Sequence, residues 1–139
     1  MLDTERIAKM IGDIQEYLSK LKELNLRSEE DLTKDWKNLH AAAMLMFSAV
    51  NRSIDLAQEI ITSRKLGFPG TYAEHFYLLY ENKVIDKKLW QDLSYLVSAR
   101  NLIAHEYYRF RVGEMFKAVG VSTEAIPKLV KEVKKLLKE

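Results

Sequence analysis

The sequence predicts an all-α fold, an up-and-down bundle of about five to six helices, and three observations support it. Apolar residues recur at spacings of three and four along most of the chain, which is the period of a helix with one buried face. Only five glycines and two prolines interrupt the 139 residues, so the chain has few of the turn signals that an all-β fold requires. Alternation of apolar and polar residues typical of strands is not found. We therefore expect helices packed around a shared core.

Length and composition predict a single domain over residues 1–139. A chain of this size can bury one core but is too short for two. Hydrophobic residues make up 47% and charged residues 30%, which is ordinary for a soluble globular protein. The chain has no cysteine, which excludes disulfides and thiolate metal sites and fits the reducing cytoplasm. Neither a signal peptide nor a run of about 18 apolar residues is found, so we expect a cytoplasmic protein with no membrane contact.

The first half of the chain predicts two helices. The first has an apolar stripe at spacings of four and three, formed by Ile7, Ile11, Ile14, Leu18 and Leu21. Ser28 and Asp31 resemble a capping box that opens the next element. The longest helix then continues to about Leu66 with a stripe formed by Trp36, Leu39, Ala43, Phe47, Val50, Ile54, Ala57 and Ile61. Residues 41–50 are apolar on nearly every side, which predicts cover from the core on one side and from a second subunit on the other.

Turn signals after residue 66 separate two further predicted helices. The stretch 67–70, Gly-Phe-Pro-Gly, is a firm break, and Thr71 with Glu74 matches a capping box for a short third helix. Asn82 closes that helix, and Asp86 caps a fourth one. The fourth helix has one apolar face, formed by Leu89, Trp90, Leu93, Leu96 and Val97.

The last part of the chain predicts two more helices. Helical periodicity resumes at Val112, and Gly120 is expected to stop it. Pro127 then falls in the first turn of a final helix, where the missing amide hydrogen of proline costs little. The buried stripe of that helix is formed by Leu129, Val130, Val133, Leu136 and Leu137.

The chemistry is concentrated at the end of the fourth helix. Arg100, Asn101, His105 and Tyr107 place a permanent cation, an amide, an imidazole and a phenol within eight residues. Arginine fits phosphate, and histidine exchanges a proton near neutral pH. On an ideal helix, however, Arg100 and His105 point about 140° apart. Either the helix ends or distorts between them, or the site is assembled across a dimer interface. Asn101 could orient the imidazole or bind carbonyls near the end of the helix.

The spacing of arginine, four residues, histidine, one residue and tyrosine resembles the signature of the HEPN superfamily, in particular the HepT-like toxins. The resemblance implies a dimeric helical bundle and a metal-independent ribonuclease without a cofactor. It further implies that Arg100 stabilises the charge of the transition state and that His105 moves protons at the 2′-hydroxyl or the leaving oxygen. The expected products carry a 2′,3′-cyclic phosphate and a 5′-hydroxyl. A homodimer would supply the second acid or base that one histidine per subunit lacks.

The resemblance also implies a partner. HepT-like toxins are usually encoded beside a minimal nucleotidyltransferase (MNT) antitoxin, and the motif tyrosine, here Tyr107, can be the acceptor for added AMP. An adenylylated phenol beside the cleft would repel RNA phosphate and fill its space. The alternative is that Tyr107 packs in the cleft or stacks on RNA and is never modified.

Other candidates are weaker. Tyr108 could stack or pack beside the motif, and Arg109 and Arg111 could contact RNA phosphates. The lysines of the last helix, Lys128, Lys131, Lys135 and Lys138, are interspersed with glutamates, which favours a solvated face over an RNA track. His40 and His75 lack the spacing of a metal site and have no matched partner. Two alternatives to the nuclease stay open: a HEPN subunit that binds nucleotide or RNA without cutting, and a helical dimer whose motif is structural.

Overall fold

The computed structural model describes residues 2–139, and over these residues it contains six α-helices, one 3₁₀ turn and no strand. The predicted all-α bundle of about five to six helices is thus confirmed. The elements are α1 Thr4–Glu23, α2 Glu30–Lys34, α3 Trp36–Arg64, α4 Tyr72–Glu81, α5 Lys87–Glu106, the 3₁₀ turn Tyr107–Arg109 and α6 Val112–Leu137.

Helix α3 lies at the centre of the bundle and contacts each of the other five helices. Small side chains on its buried face, among them Ala42, Ala49 and Ala57, allow neighbouring helices to approach closely. One hydrophobic cluster includes residues from all six helices. Its largest fully buried side chains include Ile14 of α1, Met46 of α3 and Phe76 of α4. Burial of such a side chain stabilises the fold by about 1.5–3 kcal/mol.

Helix α1 begins where Asp3 accepts a hydrogen bond from the backbone N–H of Arg6 at 3.0 Å. All five residues of its predicted stripe are buried. An ion pair joins α1 to α3, because Arg52 Nη2 lies 2.8 Å from the Asp13 carboxylate. The hydrogen bond from Arg52 is the main cause that lowers the pKa of Asp13 below its usual value.

The stretch that opens with Ser28 contains a break that the sequence pattern does not show. Asp35 is extended, with φ −136° and ψ 106°, and its side chain caps α3 by accepting from the N–H of Lys37 at 2.9 Å. This separates the five-residue helix α2 from α3. Only one half of the predicted capping box forms: Asp31 accepts from the N–H of Ser28 at 3.2 Å.

The predicted boundaries of α4 and α5 are confirmed. Gly67 adopts φ 144°, a conformation that favours glycine, in the loop after α3. Thr71 then caps α4 through the N–H of Glu74 at 3.2 Å, and the Glu74 carboxylate accepts from the N–H of Gly70 at 2.8 Å. Asp86 caps α5 through the N–H of Leu89 at 2.9 Å.

The prediction of two helices after Tyr108 is wrong. Helix α6 runs without interruption from Val112 to Leu137, with Gly120 and Pro127 inside it. Both residues are exposed, while the opposite face, which includes Ile126 and Leu129, is fully buried against the core. Burial of that long apolar face outweighs the local cost of the two helix breakers, about 1 kcal/mol for glycine and 3 kcal/mol for proline. Within residues 2–139, no helix is long and apolar enough to cross a membrane.

Candidate active site

Helix α5 carries both Arg100 and His105, with no break between them. It continues to Glu106, and the 3₁₀ turn follows, closed by a hydrogen bond from the N–H of Phe110 to the carbonyl of Tyr107 at 3.0 Å. The helix therefore does not end between Arg100 and His105, so that alternative is wrong. The two side chains leave the helix about 140° apart.

The guanidinium of Arg100 is held by four side chains, which we call the Arg100 clamp: Phe47, Asn51, Tyr72 and Asn101. Nε donates to Asn51 Oδ1 at 2.7 Å, and Nη1 donates to Asn101 Oδ1 at 2.9 Å. The guanidinium carbon lies 4.9 Å from the centre of the Phe47 ring and 4.7 Å from that of Tyr72. These distances allow cation–π attraction with both rings. The clamp thus fixes the arginine from three helices, α3, α4 and α5.

Three clamp residues were missed by the sequence analysis. Phe47 counted only as part of the apolar stripe, and Tyr72 only as part of a capping box. Asn51 carries the one signal that could have been noticed, because it is a polar amide directly after the apolar stretch 41–50 and four residues from Phe47.

A hydrogen bond through His75 joins α3 and α4, the two helices that carry Phe47, Asn51 and Tyr72 of the clamp. His75 of α4 is buried, with Nδ1 at 2.9 Å from the carbonyl oxygen of Thr71 and Nε2 at 2.8 Å from Gln58 Oε1 of α3. It therefore anchors the start of α4, which carries Tyr72, to α3. The sequence pattern does not indicate this pair, because Gln58 lies 17 positions from His75.

His40 also has a partner. The hydroxyl of Tyr107 lies 2.6 Å from His40 Nδ1, and the two ring centres are 5.5 Å apart. Trp36 packs against the other side of the imidazole in an edge contact at 5.9 Å. Tyr107 is half-buried, and this burial raises the pKa of its hydroxyl above the usual value. The sequence pattern does not indicate this pair, because the two residues lie 67 positions apart.

An open apolar groove of about 310 Å³ lies between α3 and the end of α5, lined by His40, Ala43, Met44, Phe47, Ile103, Ala104 and Tyr107. Met44 remains 63% exposed at its edge, and Trp36 next to it 67%. Arg100, Ile103 and Ala104 share one face of α5 at helical spacing, and Tyr107 follows in the 3₁₀ turn. Tyr107 lines the groove, and the guanidinium of Arg100 lies beside Phe47 of its wall, whereas His105 is not among the lining residues.

The predicted orienting residue contacts Arg100 rather than His105. Asn101 lies four residues before His105 on the same side of α5. Its carboxamide oxygen accepts from Arg100, and among residues 2–139 its side chain makes no hydrogen bond to the exposed imidazole.

A family model described as Ribonuclease HepT-like matches residues 14–136. The chain belongs to the HepT-like family. A curated relative, the mRNA nuclease HepT of Shewanella oneidensis, is 27% identical over 81 residues, which are 58% of this chain and 61% of the relative. The chain thus matches about three fifths of that relative's length.

Solved structures share the HepT-like fold. A tri-AMPylated HEPN toxin of Shewanella oneidensis in complex with its MNT antitoxin aligns with a TM-score of 0.86 at 21% identity, covering 97% of this chain and 99% of that one. A toxin–antitoxin structure with AMP-PNP gives 0.85 at 19% identity, over 93% and 97% of the two chains. The cytosolic protein YutE of Bacillus subtilis, of unknown function, gives 0.82 at 18% identity, over 99% and 92%.

The remaining candidates of this HepT-like chain lie on the surface next to the motif. Tyr108 is 82% exposed, and the guanidinium of Arg109 lies 5.9 Å from the centre of its ring. Arg109 also pairs with Glu106 at 3.5 Å, and Arg111 is exposed. Farther away, two lysines of α6 pair with glutamates of the same helix, Lys128 with Glu124 and Lys135 with Glu132. These pairs favour the interpretation of α6 as a solvated face.

Proposed function

We propose that this chain is a metal-independent endoribonuclease that acts in the cytoplasm as the toxin of a toxin–antitoxin pair, with Arg100 and His105 as its catalytic residues. The observation that carries the proposal is the Arg100 clamp, which holds a guanidinium in one orientation at the end of an open groove. Membership of the HepT-like family and a relative named as an mRNA nuclease support it.

The chemistry requires charge stabilisation and proton transfer. The 2′-hydroxyl of RNA attacks the adjacent phosphorus, the 5′-oxygen leaves, and the products carry a 2′,3′-cyclic phosphate and a 5′-hydroxyl. Arg100 stabilises the charge that develops on the phosphoryl oxygens, and because its position is fixed before the reaction, little reorganisation is needed. His105 exchanges the proton at the 2′-hydroxyl or at the leaving oxygen.

A homodimer brings these two residues together. In one chain Arg100 faces the groove and His105 points about 140° away from it. The exposed apolar side chains at the groove, Met44 and Trp36, are suited to contact a second copy of α3. In the proposed dimer, His105 of the partner subunit, which is exposed near the end of its own α5, takes part in proton transfer at a phosphate held by Arg100.

The other motif residues complete the proposed site. Asn101 orients Arg100 by accepting a hydrogen bond from its guanidinium. Tyr108 offers an exposed ring on which a base can stack, and Arg109 and Arg111 offer exposed cations for the RNA backbone.

The proposed site of regulation is Tyr107. We propose that a minimal nucleotidyltransferase antitoxin transfers AMP from ATP to its hydroxyl. The likeness to a toxin described as tri-AMPylated supports this. So does the position of Tyr107 on the wall of the groove, since an attached phosphate there would repel RNA and occupy its space.

One observation favours a second function. Within a single chain, Tyr107 lines the groove and Arg100 lies beside Phe47 of its wall, but His105, the acid or base of the motif, is not among the lining residues. A chain that stayed monomeric would bind phosphate without cutting it. It would then be a non-catalytic HEPN subunit that holds nucleotide or RNA and partners a nucleotidyltransferase.

Cleavage of RNA in excess EDTA tests the proposal. Wild type should leave cyclic phosphate ends, and Arg100→Ala and His105→Ala should each lose cleavage while their circular dichroism stays that of wild type. Mixing the two variants tests the shared site. Random pairing puts half of the chains into mixed dimers, each with one complete site of two, so activity should return to roughly a quarter of wild type. Wild type that binds RNA but leaves it intact would establish the non-catalytic function instead.

A further inference from the structure

The hydrogen bond between Tyr107 and His40 joins residues that are 67 positions apart. The oxygen to Nδ1 distance is 2.6 Å, at the short end for an O–H donor. Trp36 supports the imidazole from its own helix, one turn earlier. Nε2 has no hydrogen-bond partner within residues 2–139, and His40 is exposed. The imidazole is therefore fixed at one nitrogen by the phenol and open to water at the other.

This arrangement suits proton transfer away from the phenol. In the neutral imidazole one nitrogen carries hydrogen and the other accepts. When the hydrogen is on Nε2, Nδ1 accepts a hydrogen bond from the hydroxyl of Tyr107. The lone pairs of the phenol oxygen then stay available to attack an electrophile. A phenol attacks phosphorus well only as it loses its proton, and burial of Tyr107 makes that loss harder without a base.

We propose that His40 is the general base that activates Tyr107 for nucleotidyl transfer. This rests on the proposed modification of Tyr107. The phenol oxygen forms a bond to the α-phosphorus of ATP, the bond from that phosphorus to the β-phosphate oxygen breaks, and pyrophosphate leaves. The phenol proton passes to His40 Nδ1, and the imidazolium returns a proton to water through Nε2. The nucleotidyltransferase partner supplies the ATP, and this chain supplies both the nucleophile and its base.

Within residues 2–139, Tyr107 is the one side chain hydrogen-bonded to the imidazole of His40. Helix α5 presents Ile103 and Ala104 to the groove, neither of which can be charged. On its own helix the neighbouring cation is Lys37, whose ammonium lies 6.0 Å from the centre of the Trp36 ring. Tyr107 itself is the titratable group that faces the imidazole from the 3₁₀ turn.

The test measures AMP transfer to the full chain by its cognate nucleotidyltransferase with ATP, followed by intact mass across a pH series. His40→Asn keeps an acceptor oxygen near the place of Nδ1 but cannot take up the proton. It should slow transfer by about 100-fold at neutral pH, the lower end for general base catalysis. Its rate should keep rising with pH as the phenol ionises unaided, whereas that of wild type levels off.

Two control variants show whether AMP is added at Tyr107. Tyr107→Phe should gain no AMP, and Tyr77→Phe, which alters a half-exposed tyrosine of α4, should be modified like wild type. Nitrogen NMR of the imidazole in wild type gives a readout that needs no variant. A neutral His40 with hydrogen on Nδ1 would overturn the proposal, because that nitrogen could not accept.

The outcomes separate this inference from the function on which it rests. If wild type gains AMP and His40→Asn is modified equally fast at every pH, His40 is not the base, while the modification of Tyr107 stands. If wild type cleaves RNA but never gains AMP, both the silencing and the role of His40 are refuted, and the nuclease stands.

Discussion

Asn51→Ala tests whether the orientation of Arg100, and not only its charge, drives RNA cleavage. The substitution removes the oxygen that accepts the Arg100 Nε–H at 2.7 Å and leaves the arginine in place. Arg100 keeps its bond to Asn101 and its two ring contacts. The guanidinium should therefore stay near the groove but rotate more freely.

The expected loss follows from the lost hydrogen bond. A bond to a charged group contributes about 1.5–3 kcal/mol, and because Arg100 is half-exposed and keeps its other contacts we take the lower value. At about 1.36 kcal/mol per factor of ten, kcat/KM should fall about tenfold. Since the charge on the phosphoryl oxygens develops in the transition state, most of the loss should appear in kcat.

The assay is steady-state cleavage of a short fluorescent RNA in EDTA, with urea denaturation of each variant beside it. Asn38→Ala is the matched control, because Asn38 lies on the same helix and donates to the carbonyl of Asp31 at 3.2 Å, with no contact to Arg100. It should cleave RNA like wild type. Equal kcat values for Asn51→Ala and Asn38→Ala would refute the reasoning that the clamp positions the arginine.

Two further predictions concern stability. Pro127→Ala should raise the free energy of unfolding by roughly 1–3 kcal/mol, because it restores an N–H donor inside the exposed side of α6; urea denaturation that shows no gain would mean that the proline fits α6 without cost. Asp13→Asn should destabilise the chain near neutral pH and progressively less in acid. The pKa of Asp13 is lowered in the folded state, chiefly by Arg52, so its contribution is present above the unfolded value of about 3.9 and is lost as the pH falls through the folded value. Denaturation at a series of pH values checks this, and a difference from wild type that stays constant between neutral pH and strong acid would contradict it.

Features of the fold that depend on neighbours in sequence were predictable. The caps at Thr71 and Asp86 each bond a backbone N–H three residues later. The stripe of α1 needs only helical spacing. The errors arose where packing over the whole bundle decides. Gly120 and Pro127 are typical helix breakers, yet they lie inside α6 because its other face is buried from Met115 to Val133.

In the candidate site, too, the residues close in sequence were predictable and those brought together by packing were not. The motif could be identified because Arg100, His105 and Tyr107 are close in sequence. The residues that hold it could not, because Asn51 lies 49 positions from Arg100, and His40 lies 67 positions from Tyr107. Only the packing of α3 against α5 brings them together.

The link through His75 bears on how sequences of this kind diverge. His75 and Gln58 touch neither Arg100 nor the groove, yet they join the helix that carries Tyr72 to the helix that carries Asn51. A homologue can therefore keep every residue between positions 100 and 108 and still lose the support of its arginine, if the residues at positions 58 and 75 are substituted. Scanning genomes for the motif alone would not detect this loss. Requiring an amide and an imidazole at the positions of Gln58 and His75 gives a stricter criterion, drawn from the scaffold rather than from the motif.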